Sequence, residues 1–115
     1  MKKYDIYVGD FNPRKGSTQS GVRPCVIIQS NLFNGTSPTI LVIPLTSVVQ
    51  KVFPSEFTIT PSERNGLKEH SRFLGSQIIT LDVQYLSKKL GRLEEKYQLQ
   101  VREALGVALD IEDDF

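Results

Sequence analysis

Two short, β-branched apolar runs constrain this chain more than any other feature: Val22-Arg-Pro-Cys-Val-Ile-Ile28 and Thr39-Ile-Leu-Val-Ile43. Neither alternates with polar residues, and neither is long enough for a core helix, so both predict strands buried on both faces. Pro24 stands near the start of the first run, where a missing N–H is tolerated, and Pro44-Leu-Thr-Ser47 ends the second. Residues 30–38 between them are turn chemistry around Phe33 and Asn34-Gly35. Residues 5–11 predict a further strand with Ile6 and Val8 near one face and Gly9 as an interruption. Residues 57–60 alternate, and residues 73–81 predict one more strand, with Gly75 suggesting a bulge.

The periodicity then changes. Leu93, Tyr97, Val101, Ala104, Leu105, Ala108 and Leu109 step by threes and fours, predicting an apolar stripe on a helix from about Glu94 to Asp110. Glu94 and Glu95 suit the positive end of its dipole. Before it, Asp82 predicts a cap for a short turn over residues 83–86, closed by Gly91. Five or six short strands with one packing helix place the chain in the α+β class, as a small, strongly bent sheet or barrel.

At 115 residues the chain is expected to form a single domain, 1–115, with a core that needs no disulfide or metal. Apolar residues at 39% and charged residues at 23% exclude a disordered chain and a membrane protein. The longest apolar stretch, residues 40–45, is broken by Pro44 and cannot span a bilayer. No apolar segment follows Met1-Lys2-Lys3, so no signal peptide is expected. A lone Cys25 excludes an internal disulfide framework and fits a reducing cytoplasm, and one Cys with one His makes no zinc set. The net charge of +1 predicts no partner, but its distribution is uneven: +4 over residues 1–51, +1 over 52–109 and −4 over the last six. A basic N-terminal half suits a polyanion, although scattered solvated charges would give the same count.

The loop–strand junction Gly16-Ser-Thr-Gln-Ser-Gly-Val-Arg-Pro24 concentrates the polar chemistry. Its glycines permit unusual backbone angles, Ser17, Thr18, Gln19 and Ser20 offer hydroxyls and an amide, and Arg23 follows at the mouth of a buried strand. An arginine fixed there presents a planar fork that fits phosphate. Thr46 and Ser47 end the second buried strand, and if the two strands are neighbours, Arg23 and Thr46 face one rim. A capped loop with a structural arginine would use the same residues.

The order Asp5 to Phe11, Asn12-Pro13, Gly16-Ser-x-Gln-x-Gly-Val-Arg-Pro24, Val26-Ile-Ile28, Pro44-Leu-Thr-Ser47, Gly66-Leu67, Ser76-Gln77-Ile-x-Thr-Leu-Asp82, Leu86, Leu90-Gly-x-Leu93 and Val101-x-x-Ala-Leu105 resembles the MazF/PemK (Kid) family of toxin endoribonucleases over essentially the whole chain. The resemblance implies an SH3-like β-barrel of the CcdB/PemK type with a C-terminal helix, and a homodimer. It implies a metal-independent, cofactor-free ribonuclease that cuts single-stranded RNA at short sequences. It also implies control by a cognate MazE-like antitoxin with a disordered acidic tail, and DNA binding by the toxin–antitoxin complex. The family's catalytic pair falls on Arg23 and Thr46, and Ser17, Gln19, Ser47 and Gln77 match positions that line the substrate groove. Thr18 stands in that junction where many members have Glu, and Leu74 and Ser76 stand near the Arg and Asp of the Kid branch.

RNA carries its own nucleophile, the 2′-hydroxyl, so cleavage needs a protein only to align it, stabilise phosphoryl charge and help protons move. Arg23 suits charge stabilisation and proton donation; as a base it is unsuited, with a pKa above ~12. Thr46 suits a hydrogen bond to the scissile phosphate, and the base stays unassigned. Phe33 is read either as a base-stacking loop aromatic or as core packing. His70, within Lys68-Glu-His-Ser-Arg72, reads as a surface histidine, Cys25 as packing, and residues 110–115 as a solvated acidic tail. Two other classes remain open: a silent RNA- or antitoxin-binding module, and a CcdB-like gyrase poison, against which the absence of Trp counts.

Overall fold

The computed structural model describes residues 1–12, 21–50 and 53–111. Within them the chain runs β1 (Asp5–Asp10), β2 (Val22–Ile27), β3 (Thr39–Thr46), β4 (Glu56–Ile59), β5 (Ser71–Leu74), β6 (Ile79–Asp82), a single 3₁₀ turn (Val83–Tyr85), β7 (Leu86–Arg92) and α1 (Glu95–Leu109). β2 and β3 pair antiparallel in the register Cys25↔Pro44, Val26↔Ile43, Ile27↔Val42. Alternation sends Val26, Ile43 and Leu45 into one cluster with Ile6, Ile59 and Phe73, closed by Tyr97, Val101 and Ala104 of α1. Cys25, Ile27, Ile40 and Val42 enter a second cluster with Phe11, Ile79 and Leu81. Both faces of this strand pair are covered, which is why its sequence reads as unbroken apolar runs.

The sheet follows the order β4-β5-β3-β2-β1-β7, with β6 beside β3. β3 pairs with β6 through residues 39–42 and with β5 through residues 45 and 46. Pro44 stands where one partner gives way to the other, the place where a missing N–H costs the ladder least. The change of partner bends the sheet, and the strand therefore continues to Thr46, three residues beyond the apolar run that announced it.

Among the described residues β4 and β7 share no ladder; residues 60–66 close the gap. Arg92 N donates to Arg64 O at 2.9 Å. Gly66, at φ +70°, lies so close to β7 that a Cβ would meet Leu90 O at 2.0 Å. Wholly buried Asn65 ties the turn together: its Oδ1 accepts from Ser62 N and Leu67 N, and its Nδ2 donates to Thr60 O and Glu94 Oε1. The expected α+β, barrel-like architecture is present as an open sheet whose two edges are bridged by this packed turn. Gly75 opens the turn between β5 and β6, where its N–H donates to Ser55 O at 3.1 Å. A Cβ there would meet that carbonyl at 2.1 Å, so residues 73–81 form two strands instead of one bulged strand.

The cap and the helix follow the sequence pattern. Asp82 Oδ1 accepts from Gln84 N at 3.1 Å, and Tyr97, Val101 and Ala104 are buried. The stripe emerges at its end, where Leu109 is half exposed and Asp110 takes the left-handed cap at φ 53°. The short turn after Asp82 does not run on to Gly91: residues 86–92 form β7, which among the described residues is an edge strand paired with β1. No helix among the described residues is long and apolar enough to cross a membrane.

Candidate functional site

Continuing the β2–β3 register two residues beyond Cys25↔Pro44 sets Arg23 opposite Thr46. Cross-strand partners share a face, so this pair prolongs the face of the second apolar cluster to a rim where it turns polar. Arg23 is half-buried, and its Nη1 donates to Leu45 O at 3.4 Å. Thr46 is 7% exposed, and its Oγ1 accepts from Val48 N at 3.3 Å. That bond fixes the hydroxyl oxygen while its own proton can still be donated.

Thr46 has a second arginine on its other flank. Arg72 of β5 lies opposite it, with Nε 3.5 Å from the buried carboxylate of Glu56 and a hydrogen bond from Nη1 to Gln50 O. Glu56 Oε1 also accepts from Phe53 N at 3.4 Å. Arg72 thus ties the segment after Thr46 to β4 and β5, whereas Arg23 opens onto a cleft.

The cleft has a volume of about 530 Å³. It is lined by Arg23 of β2, by Thr46 and Ser47 at the end of β3, by residues of the 66–71 segment and by Lys88 and Leu90 of β7. Three cations (Arg23, Lys68, Lys88) and one carboxylate (Glu69) line it, an excess of positive charge suited to an anionic ligand.

The structure brings together Arg23, Thr46 and exposed Ser47. Gln77 is half-buried in the β5–β6 turn, two residues before the Val42 partner Ile79, and does not line the cleft. Phe33 is 57% exposed in the turn at the opposite end of the β2–β3 hairpin, about 15–20 Å of strand away. Ser17, Thr18 and Gln19 lie outside the described residues, as do residues 112–115 of the acidic tail. His70 is exposed, in keeping with a surface histidine. Cys25 is fully buried, and burial pushes its thiol up to about 12, as befits a packing role. Burial likewise raises the Tyr4 phenol, partly offset by the charges of Arg102 and Arg92.

Sequence reasoning missed Lys68, Glu69 and Lys88 as cleft residues and Arg72 as the neighbour of Thr46. The signal for Lys88 was a lysine-rich stretch, which suits an exposed edge strand as well as a solvated turn.

Comparison with known proteins finds relatives over nearly the whole chain. Residues 2–109 match the family model described as PemK-like, MazF-like toxin of type II toxin-antitoxin system. The chain is 35% identical to Endoribonuclease EndoA of Bacillus subtilis over 98% of its own length and 97% of the relative's. It is 37% identical to Endoribonuclease MazF of Staphylococcus saprophyticus, over 96% and 92% of the two chains. Its fold is similar to MazF from Deinococcus radiodurans (TM-score 0.81, 23% identity, 96% of each chain). It is also similar to a mycobacterial endoribonuclease solved in complex with its cognate antitoxin (TM-score 0.78, 21% identity, 98% of each chain).

Proposed function

The chain belongs to the PemK-like, MazF-like toxin family of type II toxin–antitoxin systems, and from that premise we propose that it is a sequence-specific endoribonuclease toxin acting on single-stranded RNA. The observation that carries the proposal is the Arg23–Thr46 pair, set opposite one another at the rim of a cationic cleft. Full-length relatives named as endoribonucleases support the same reading.

The scissile phosphate binds against Arg23 and the Thr46 hydroxyl. The adjacent 2′-hydroxyl loses its proton to a base and its oxygen attacks phosphorus; the P–O5′ bond breaks and O5′ takes a proton. The products are a 2′,3′-cyclic phosphate and a 5′-hydroxyl. The guanidinium stabilises the phosphoryl oxygens as charge builds and is a candidate donor to O5′, while Thr46 orients the phosphate. Because the nucleophile belongs to the RNA, no metal-bound water is required. Ser47 lines the same cleft and adds a hydroxyl beside the phosphate. The protein works as a cytoplasmic homodimer, and a cognate antitoxin with a disordered acidic tail silences it by tracing the path of the RNA.

The test is incubation of antitoxin-free protein with a long unstructured RNA in excess EDTA, with end-group analysis of the fragments. Discrete cuts ending in 2′,3′-cyclic phosphate are expected. An RNA left intact by folded protein would overturn the proposal in favour of a silent binding module.

A further inference from the structure

The cleft that Arg23 lines contains an unusual charge arrangement. Arg92 N donates to Arg64 O, Gly91 packs on Asn65, and Gly66 packs on Leu90, so the 64–66 turn and β7 run antiparallel with these residues side by side. Lys68 lies two residues after Gly66 and Lys88 two residues before Leu90, and both line the cleft. Like charges lining one cleft repel each other. No relief comes from nearby acids: among the described residues neither lysine forms an ion pair, and Glu69, which also lines the cleft, bridges to neither. Their neighbours on β7 behave differently, since Lys89 and Arg92 both pair with buried Asp5, at 3.5 and 3.1 Å.

Two unpaired ammonium groups held together in an open cleft make a site for an anion, and a phosphate between them would turn repulsion into shared attraction. We propose that Lys68 and Lys88 jointly hold one backbone phosphate of the RNA, distinct from the scissile phosphate at Arg23. The inference rests on the ribonuclease reading and adds to it a second anchoring point in the same cleft. The Gly66–Leu90 contact positions this anchor by locking the two lysine-bearing segments together.

The test uses an RNA spanning a mapped cut site, made uncleavable by a 2′-deoxy substitution at the scissile nucleotide. Its affinity is measured between about 50 and 200 mM salt, a range in which each phosphate contact to a single strand contributes about −0.7 to the slope of log K against log salt. Lys68→Gln and Lys88→Gln should each weaken binding and flatten the slope. The double variant should flatten it by about 0.7 in all, because one phosphate is shared. Lys89→Gln, which faces Asp5, should leave the slope unchanged. The melting temperature of the RNA-free protein should not fall in either single cleft variant, since each relieves repulsion.

Unchanged slopes in the cleft variants would overturn the site. So would a double-variant loss of about 1.4, which means two separate phosphates, and so would a fall in melting temperature. If the wild-type protein neither binds nor cuts RNA, the ribonuclease reading itself fails. If it cuts normally while the slopes stay put, only the lysine site fails.

Discussion

The two ends of the β2–β3 hairpin carry polar side chains to opposite effect. At the turn end the groups satisfy one another: Gln29 Nε2 donates to Asn34 Oδ1 at 3.0 Å, and Asn34 Nδ2 donates to Gln29 O at 3.2 Å and Asn31 Oδ1 at 3.0 Å. Lys3 N donates to the same Asn31 oxygen at 2.8 Å. At the open end, Arg23, Thr46 and Ser47 border a cleft that also gathers Lys68 and Lys88. The first network ties polar groups to one another and to the backbone, whereas the second set borders open space that a ligand can enter. Within one strand pair, structural and functional polar groups are separated by where their partners lie.

Substitutions at the two ends should therefore act on different properties. Arg23→Ala should lower single-turnover cleavage by about 100-fold or more, the scale for losing a donor to a developing oxyanion, with the melting temperature shifted by no more than a few degrees. Asn34→Ala should reverse the pattern, lowering stability in urea by about 1–2 kcal/mol through its orphaned partners while folded protein cleaves at its normal rate. An equal effect of both substitutions on both properties would erase the distinction.

Midway along β2, Cys25 gives a third kind of behaviour. Burial pushes its thiol from the ordinary value of about 9 up to about 12, so the folded chain holds that proton where the unfolded chain has lost it. The sign follows: the contribution is fully present below about pH 9 and is lost as pH rises toward 12, at about 1.4 kcal/mol per pH unit at most. Denaturation across that window should show a decline that flattens in Cys25→Ala. The smallest effect is expected of Phe33→Ala, because an exposed aromatic at the far end should change stability and RNA affinity by less than about 0.5 kcal/mol. A loss of about 1–3 kcal/mol in affinity would instead mark Phe33 as a base-stacking residue.

What could be read in the sequence divides along the same physical line. β2, β3 and the Tyr97–Val101–Ala104 stripe announce themselves because local burial sets their patterns. The expectation that Arg23 and Thr46 face one rim depended only on β2 and β3 being neighbours, and these strands pair, with both residues lining the cleft. Gly75 was open to misreading because its need for no side chain comes from the Ser55 carbonyl, twenty residues earlier in the chain. β7 was hidden by Leu86-Ser-Lys-Lys-Leu, which lacks the β-branched signal and carries the lysines of an edge strand. That Lys68 and Lys88 line one cleft was invisible for a similar reason: Gly66 meets Leu90, more than twenty residues later, only in the folded sheet.

The central claim is that Arg23 and Thr46 act on one phosphate, and a double-mutant cycle tests it most directly. Single-turnover cleavage of one RNA would be measured for wild type, Arg23→Ala, Thr46→Val and the double variant. The account predicts a large loss from Arg23→Ala, a smaller one from Thr46→Val, and a double variant scarcely slower than Arg23→Ala alone. Wild-type rates in either single variant, or losses that multiply as for independent sites, would contradict it.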